Sequence, residues 1–286
     1  MKKIILIIML ISLVFITGCD LFNNDSLEDI NIVTTIYPTE YITKRLFGNN
    51  SNIKSIYPKG TKVIDYKITN KIIKDLSSND MFIYNGESIE KDYALSLLKE
   101  NKSLKIGDAA YGIMPNYITD VWLNPSNILM MASNIKNELE IYLTNPYLIN
   151  EVSNEYELLK LDISGLETEF KKVADNGTDL RIISADESLK FLEKYGFIVI
   201  NLTENEKPVE KNIETARALL NNKKKSYIYV VDNKNTLEIV NTLVTNDNAS
   251  ILSYRTLEIL TDNDLENNED YLSLMLKNIE LLKKDV

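Results

Sequence analysis

Apolar residues at spacings of three and four run unbroken through the middle of the chain. Leu148, Val152, Tyr156, Leu159, Ile163, Leu166, Phe170 and Val173 fall on one face of a single helix. Asn145 suits its cap, Pro146 its first turn, and Asn176-Gly177 its end. The predicted helix, 145–177, is roughly 45 Å long at 1.5 Å per residue, about the length of a whole lobe. Gly165 inside it costs about 1 kcal/mol relative to alanine, which so long an apolar seam absorbs.

On either side of that helix, short apolar runs alternate with amphipathic ones. Before it, strands are expected at 30–36, 53–58, 81–86 and 103–109, with helices at 38–48, 69–78 and 88–100. After it come strands at 180–185, 197–202, 226–232 and 249–254. The helices there are 186–196, 209–222, 235–246 and 268–284. The fold class this predicts is α/β, with two βα lobes built on parallel sheets, 30–144 and 178–286, joined by the 145–177 helix. Sites in open α/β sheets form beyond the carboxyl ends of the strands, here at the cleft between the lobes.

The first residues follow another pattern. "MKKIILIIMLISLVFITGC" has Lys2 and Lys3, an apolar run from Ile4 to Ile16, and small residues before Cys19. The run is too short for a spanning helix and reads as a signal peptide over 1–18. "ITGC" resembles the lipobox of bacterial lipoproteins, so Cys19 is expected to carry a lipid that holds the protein to the extracytoplasmic face of the cell membrane. Residues 19–29, polar and acidic, form the tether.

Composition narrows the chemistry. The 286 residues carry a formal net charge of -10, which disfavours a nucleic-acid partner. The chain has no histidine, and Cys19 is its single cysteine. Most general-base and nucleophile arrangements are thereby removed, no acid pair is marked out by spacing, and the chain is not expected to be an enzyme. Nine glycines include no phosphate-cradling loop. Lys223, Lys224 and Lys225 read as a solvated helix end, and most of the sixteen tyrosines as core or rim. In "ITDVWLNP" (118–125), Trp122 reads as packing that positions a loop, and Asn124-Pro125 as a helix start.

In order along the chain, these segments resemble one family, the zinc/manganese substrate-binding lipoproteins of bacterial ABC transporters. "IVTTIYPTEYITKRLFG" is similar to the family's opening strand and helix, and "IYPKGTKVIDYKIT" to its "PPG…HDYEPT" loop. "DMFIYNGESIE" resembles "DLFVYNGAGLE", "DVWLNPSN" resembles "HVWLDPKN", and "SADESLKFLEKYGF" resembles "SHDAFGYFAKRYGL". The closing "EDYLSLMLKNIELLKK" resembles the family's last helix. The resemblance covers essentially the whole mature chain. It implies a C-clamp of two lobes with one metal ion between them, delivered as cargo to an ABC permease and its ATPase.

The resemblance also implies three histidines and a carboxylate around that metal. By position they fall on Ile64, Asp120, Ala185 and Arg255, and none is the family's residue. Zinc favours imidazole and thiolate, which the mature chain lacks. An arginine there has no acceptor atom and repels a divalent ion. Asp65, Asp120 and Asp186 remain as oxygen donors for a divalent metal ion, a set that binds weakly unless carbonyls and water complete it. Asp120 and Arg255 either form a salt bridge where the metal would lie or stand apart in solvent. The expected function is a substrate-binding lipoprotein with a degenerate metal site. The alternative is a surface adhesion or interaction lipoprotein that keeps the scaffold without the cargo.

Overall fold

The computed structural model describes residues 30–113 and 120–286. The signal peptide over 1–18, the lipidation site Cys19 and the tether lie outside the described residues. No described helix is long and apolar enough to cross a membrane.

The amino-terminal sheet is parallel, in the order β2-β1-β3-β4. Its strands are β1 (Ile30–Thr34), β2 (Ser51–Ser55), β3 (Met81–Tyr84) and β4 (Lys105–Asp108). Helices α1 (Tyr37–Phe47), α2 (Asn70–Leu76) and α3 (Glu90–Glu100) make the crossovers. Strand β3 is buried at every position, as expected for a central strand of a sheet covered on both faces. The second strand begins two residues earlier than the sequence predicts, paired with β1 from Ile30↔Ser51 onward.

The carboxy-terminal sheet, also parallel, has the order β10-β9-β5-β6. It comprises β5 (Arg181–Ser184), β6 (Ile198–Asn201), β9 (Tyr227–Val231) and β10 (Ser250–Tyr254). A two-stranded antiparallel hairpin, β7 (Thr203–Glu204) and β8 (Lys207–Pro208), follows β6 and was not read from the sequence. The predicted helix 186–196 is a 3₁₀ helix, Glu187–Tyr195, closed by Gly196 at φ 96°. The Asp186 side chain caps it by accepting from the Ser188 N–H, a local bond that competes with a regular α-turn.

The Asn124-Pro125 start opens α4 (Pro125–Tyr142), with the Asn124 side chain accepting from Ser126 N–H. The long helix is α5 (Pro146–Asn176), and Asn145 caps it by accepting from Tyr147 N–H at 2.9 Å. Seven of the eight residues assigned to its apolar face are buried, and Tyr156 is half-buried. One hydrophobic core runs from β1 and β3 through α4 and α5 to Tyr254 and Tyr271. A second core lies under α6 (Glu210–Asn221) and α7 (Glu238–Asp247), around Ile183, Ile228 and Val240. The short α8 (Asp262–Glu266) and the last helix, α9 (Tyr271–Leu282), complete the fold. At about 1.5 Å per residue, α5 spans roughly 46 Å and packs against α1, α4 and α9, so it braces both lobes.

One expectation for the lysine run is corrected. Lys225 is buried, with Nζ donating to the Asp179 and Asp285 carbonyls at 3.0 and 2.6 Å. Its ammonium is consumed by two backbone acceptors and the Asp285 carboxylate at 3.6 Å, so it fastens the residues after α9.

Gly165 lies on the exposed face of α5 with nothing near the place of a Cβ. Gly165→Ala is therefore expected to stabilise the protein by about 0.5–1 kcal/mol, read as a higher urea midpoint at unchanged slope.

Candidate functional site

The seam between the lobes is fixed first by backbone contacts. Tyr37 N–H donates to the Glu258 carbonyl at 2.9 Å. The Trp122 indole, 2% exposed, donates from Nε1 to the Thr256 carbonyl at 2.5 Å. The Tyr271 hydroxyl donates to the Trp122 carbonyl at 2.6 Å. Trp122 is thus a strut between the amino-terminal lobe and the loop after β10, and it holds the residues beside it in place.

Asp120 lies at the start of the 3₁₀ turn Val121–Leu123 and is 1% exposed. Its Oδ1 accepts from Asn233 Nδ2 at 3.0 Å, and its Oδ2 accepts from Ser188 Oγ at 3.3 Å. The Lys234 ammonium stands 3.6 Å from the same Oδ2. Lys234 also donates to Asp186 Oδ2 at 2.8 Å and to Ser188 Oγ at 2.9 Å. Burial pushes the Asp186 carboxyl up, but Lys234 and the Ser188 hydroxyl and amide outweigh it and hold it below its ordinary range. Burial pulls Lys234 down, and Asp120 and Asp186 more than restore it, so the ammonium stays charged. One cation from the carboxy-terminal lobe is therefore shared by two carboxylates, one from each side of the seam, and balances one of their two charges.

Arg255 does not supply that cation. Its guanidinium makes a bidentate contact with Asp264 at 3.0 and 2.7 Å, and its Nε is 2.6 Å from Asp232 Oδ2. Its own N–H and carbonyl exchange hydrogen bonds with the Asn278 side chain at 2.9 and 2.8 Å. Burial pushes the Asp264 carboxyl up, but Arg255 and Thr261 bring it down to about 2. The expected Asp120–Arg255 pair is corrected on physical grounds. A fork satisfied bidentately within its own lobe gains more than one stretched across a seam.

The other expected positions separate. Ile64 is 83% exposed in the turn Val63–Asp65, and Asp65 beside it is exposed and forms no ion pair among the described residues. Ala185 is buried at the end of β5, donating to the Tyr229 carbonyl and accepting from Thr203 Oγ1. Of the three oxygen donors, only Asp120 and Asp186 meet, and they meet through Lys234. Among the described residues, no three His, Cys, Asp or Glu side chains are placed to hold a metal ion. The donor set does not fit zinc, and a fixed ammonium already faces the two carboxylates that remain.

Besides Ser188 and Glu90, three participants escaped the sequence reading. Lys234 and Asn233 lie just past the carboxyl end of β9, the location that parallel sheets reserve for sites, and that position was the available signal. Glu258 is the third. Burial, then the Asp120 charge, push its carboxyl up to about 7. Glu90, 1% exposed, is likewise pushed up to about 7 by burial, although Tyr57 Oη and Asn85 N–H each donate to it at 2.9 Å. Glu90 also contributes to the rise at Glu258, so the seam holds a second pair of acids without a cation of their own.

These acids give a signed pH dependence. An ordinary glutamate has a value of 4.5, so between 4.5 and about 7 the folded protein binds more protons than the unfolded chain. Stability then falls as pH rises through that window. Asp285, pushed up to about 6 by burial, has the same sign, whereas Asp179 and Asp264, at about 2, lose their contribution only in stronger acid. The urea midpoint is expected to be higher at pH 5 than at pH 7.5, and Glu258→Gln to flatten the slope. A flat profile in the parent protein would remove the assignment.

Comparison with known proteins agrees with the fold and with the order of segments. The family described as "Zinc-uptake complex component A periplasmic" matches residues 32–285. The zinc-binding lipoprotein AdcA of Streptococcus pneumoniae is 23% identical over 312 residues, covering 99% of this chain and 61% of that protein. The chain thus spans about three-fifths of the length of the curated relatives it matches. The Zn(II)-bound ZnuA-like domain of S. pneumoniae AdcA superposes with a TM-score of 0.73 at 22% identity, covering 90% of this chain and 98% of the domain. The laminin-binding protein Lmb of Streptococcus agalactiae, described as bifunctional with adhesin and metal transporting activity, gives 0.69 at 16% identity, covering 89% and 98%. With nearly the whole folded chain matched, the protein belongs to the zinc-uptake complex component A family of substrate-binding proteins.

Proposed function

We propose that the protein is an extracytoplasmic lipoprotein, anchored through Cys19, that serves as the substrate-binding component for an ABC permease and its ATPase. In this reading its cleft has exchanged the family's metal for a tethered cation, the Lys234 ammonium. The observation that carries the proposal is the position of Lys234 Nζ, 2.8 Å from Asp186 and 3.6 Å from Asp120 across the seam. A divalent ion at the same place would have to displace that ammonium, and of the expected oxygen donors only Asp120 and Asp186 lie there to receive it. Membership of the zinc-uptake complex component A family supports a binding role rather than a catalytic one.

A second reading is a surface adhesion or interaction lipoprotein that retains the scaffold without cargo. The similarity to the Lmb structure gives it some support. A permease and ATPase encoded beside this chain would favour the transport reading, and an isolated gene the surface one.

Metal content and melting test the proposal. A metal-binding cleft saturated at about a thousand times Kd would gain roughly 4 kcal/mol, a rise of several degrees. The purified protein is expected to hold no stoichiometric zinc or manganese, and its melting point to move by less than about 1 °C with zinc, manganese or EDTA. Lys234→Met, which leaves Asp120 and Asp186 without their cation, is expected to melt lower and to gain a response to millimolar manganese. A zinc-dependent rise in the parent protein would overturn the proposal.

A further inference from the structure

A second concavity, of about 380 Å³, lies on the amino-terminal lobe at the carboxyl ends of β3 and β4 and against α4. It shares no lining residue with the Lys234 seam. Asp108 ends β4, and its Oδ1 accepts from Gly86 N–H and Ala110 N–H, both at 2.9 Å. Among the described residues, its Oδ2 accepts no hydrogen bond. Among the described residues, Glu138, from α4, forms neither a hydrogen bond nor an ion pair, and burial together with the Asp108 charge pushes its carboxyl up. Tyr84, the last residue of β3, lines the same pocket and is only 8% exposed, and among the described residues its hydroxyl has no hydrogen-bond partner. Asn134 spends its amide hydrogens on the Ala109 and Tyr111 carbonyls, both at 2.9 Å, which leaves its Oδ1 as an acceptor.

The backbone makes room for this arrangement. A Cβ on Gly86 would fall 2.0 Å from Asp108 Oδ2, and one on Gly107 would fall 3.1 Å from Glu138 Cγ. Glycine at both places lets two carboxyl groups approach the strand ends closely.

The unspent groups are mostly acceptors: Asp108 Oδ2, the Glu138 carboxyl, Asn134 Oδ1 and the Tyr84 hydroxyl. Two of them are carboxyl groups with which no described side chain forms an ion pair. The complement is a cation that donates several hydrogen bonds, which a primary ammonium does with three N–H groups. Two carboxylates fall short of the convergent set a divalent ion needs, and the volume exceeds what a bare ion fills. Ile106 and the rings of Tyr84 and Tyr111 add an apolar and aromatic wall suited to a carbon body beside the charge. We infer that this pocket binds a small organic primary amine through Asp108 and Glu138, independently of the interlobe cleft.

Titration calorimetry with benzylamine, and with benzyl alcohol as its uncharged counterpart, tests the inference on the whole protein. Saturable benzylamine binding is expected, at least tenfold tighter than benzyl alcohol. Glu138→Gln is expected to weaken it at least tenfold and Tyr84→Phe by a smaller factor, while Glu258→Gln, in the seam, leaves it unchanged. Absence of saturable binding, equal affinity for the alcohol, or loss on Glu258→Gln with Glu138→Gln unaffected would overturn the assignment. So would calcium chloride alone giving an isotherm that Glu138→Gln abolishes. Circular dichroism of each variant separates misfolding from a lost contact.

Discussion

A carboxylate that is 1% exposed at the joint between two lobes must meet a counter-charge or give up its ionisation. Asp120 is that carboxylate, and the rest of the seam is arranged around it. Lys234 reaches it from beyond β9 and is itself steadied by Asp186 and Ser188, so its one charge is shared across the joint. Removing one partner of a buried pair is costly because the other remains uncompensated. Lys234, with 37% of its side chain exposed, moderates that cost but keeps the same sign.

The mechanical frame around the pair is neutral. Trp122 and Tyr271 pass two hydrogen bonds across the joint, Tyr37 adds a backbone bond to Glu258, and Tyr41 stacks on Tyr271 with ring centroids 5.5 Å apart. The 31-residue helix α5 runs behind them with its apolar face in the core. Hinge motions require a few residues able to change conformation while their neighbours stay packed. Here the elements flanking the joint share one hydrophobic core, which favours a fixed cleft over a wide swing.

Much of this architecture was legible in the sequence because it rests on period and capping. The α5 seam from Leu148 to Val173, the Asn145 and Asn124 caps and the alternation of strand and helix are local patterns, and local chemistry decides them. Asp120 was among the residues picked out in the sequence, and it is buried at the seam. Its partner was not, because pairing across a seam depends on distances that no spacing encodes. Arg255 is the obvious counter-charge in the sequence, yet Asp264 and Asp232 in its own lobe claim it. Lys225 repeats the lesson, since in sequence it is one of three solvated lysines and in the fold it is buried under the last residues of the chain. The shift of 186–196 to a 3₁₀ helix was hidden for a different reason, because the side-chain bonds of Asp186 compete with the backbone only once β5 has placed them.

The central claim is that the ammonium of Lys234 occupies the place where the family carries its ion. The most direct measurement is a crystal structure grown in excess zinc, with anomalous diffraction recorded on both sides of the zinc absorption edge. The account predicts no anomalous peak between Asp120 and Asp186, and density for the Lys234 amine in contact with Asp186. A zinc peak there, with the lysine side chain swung away, would contradict it.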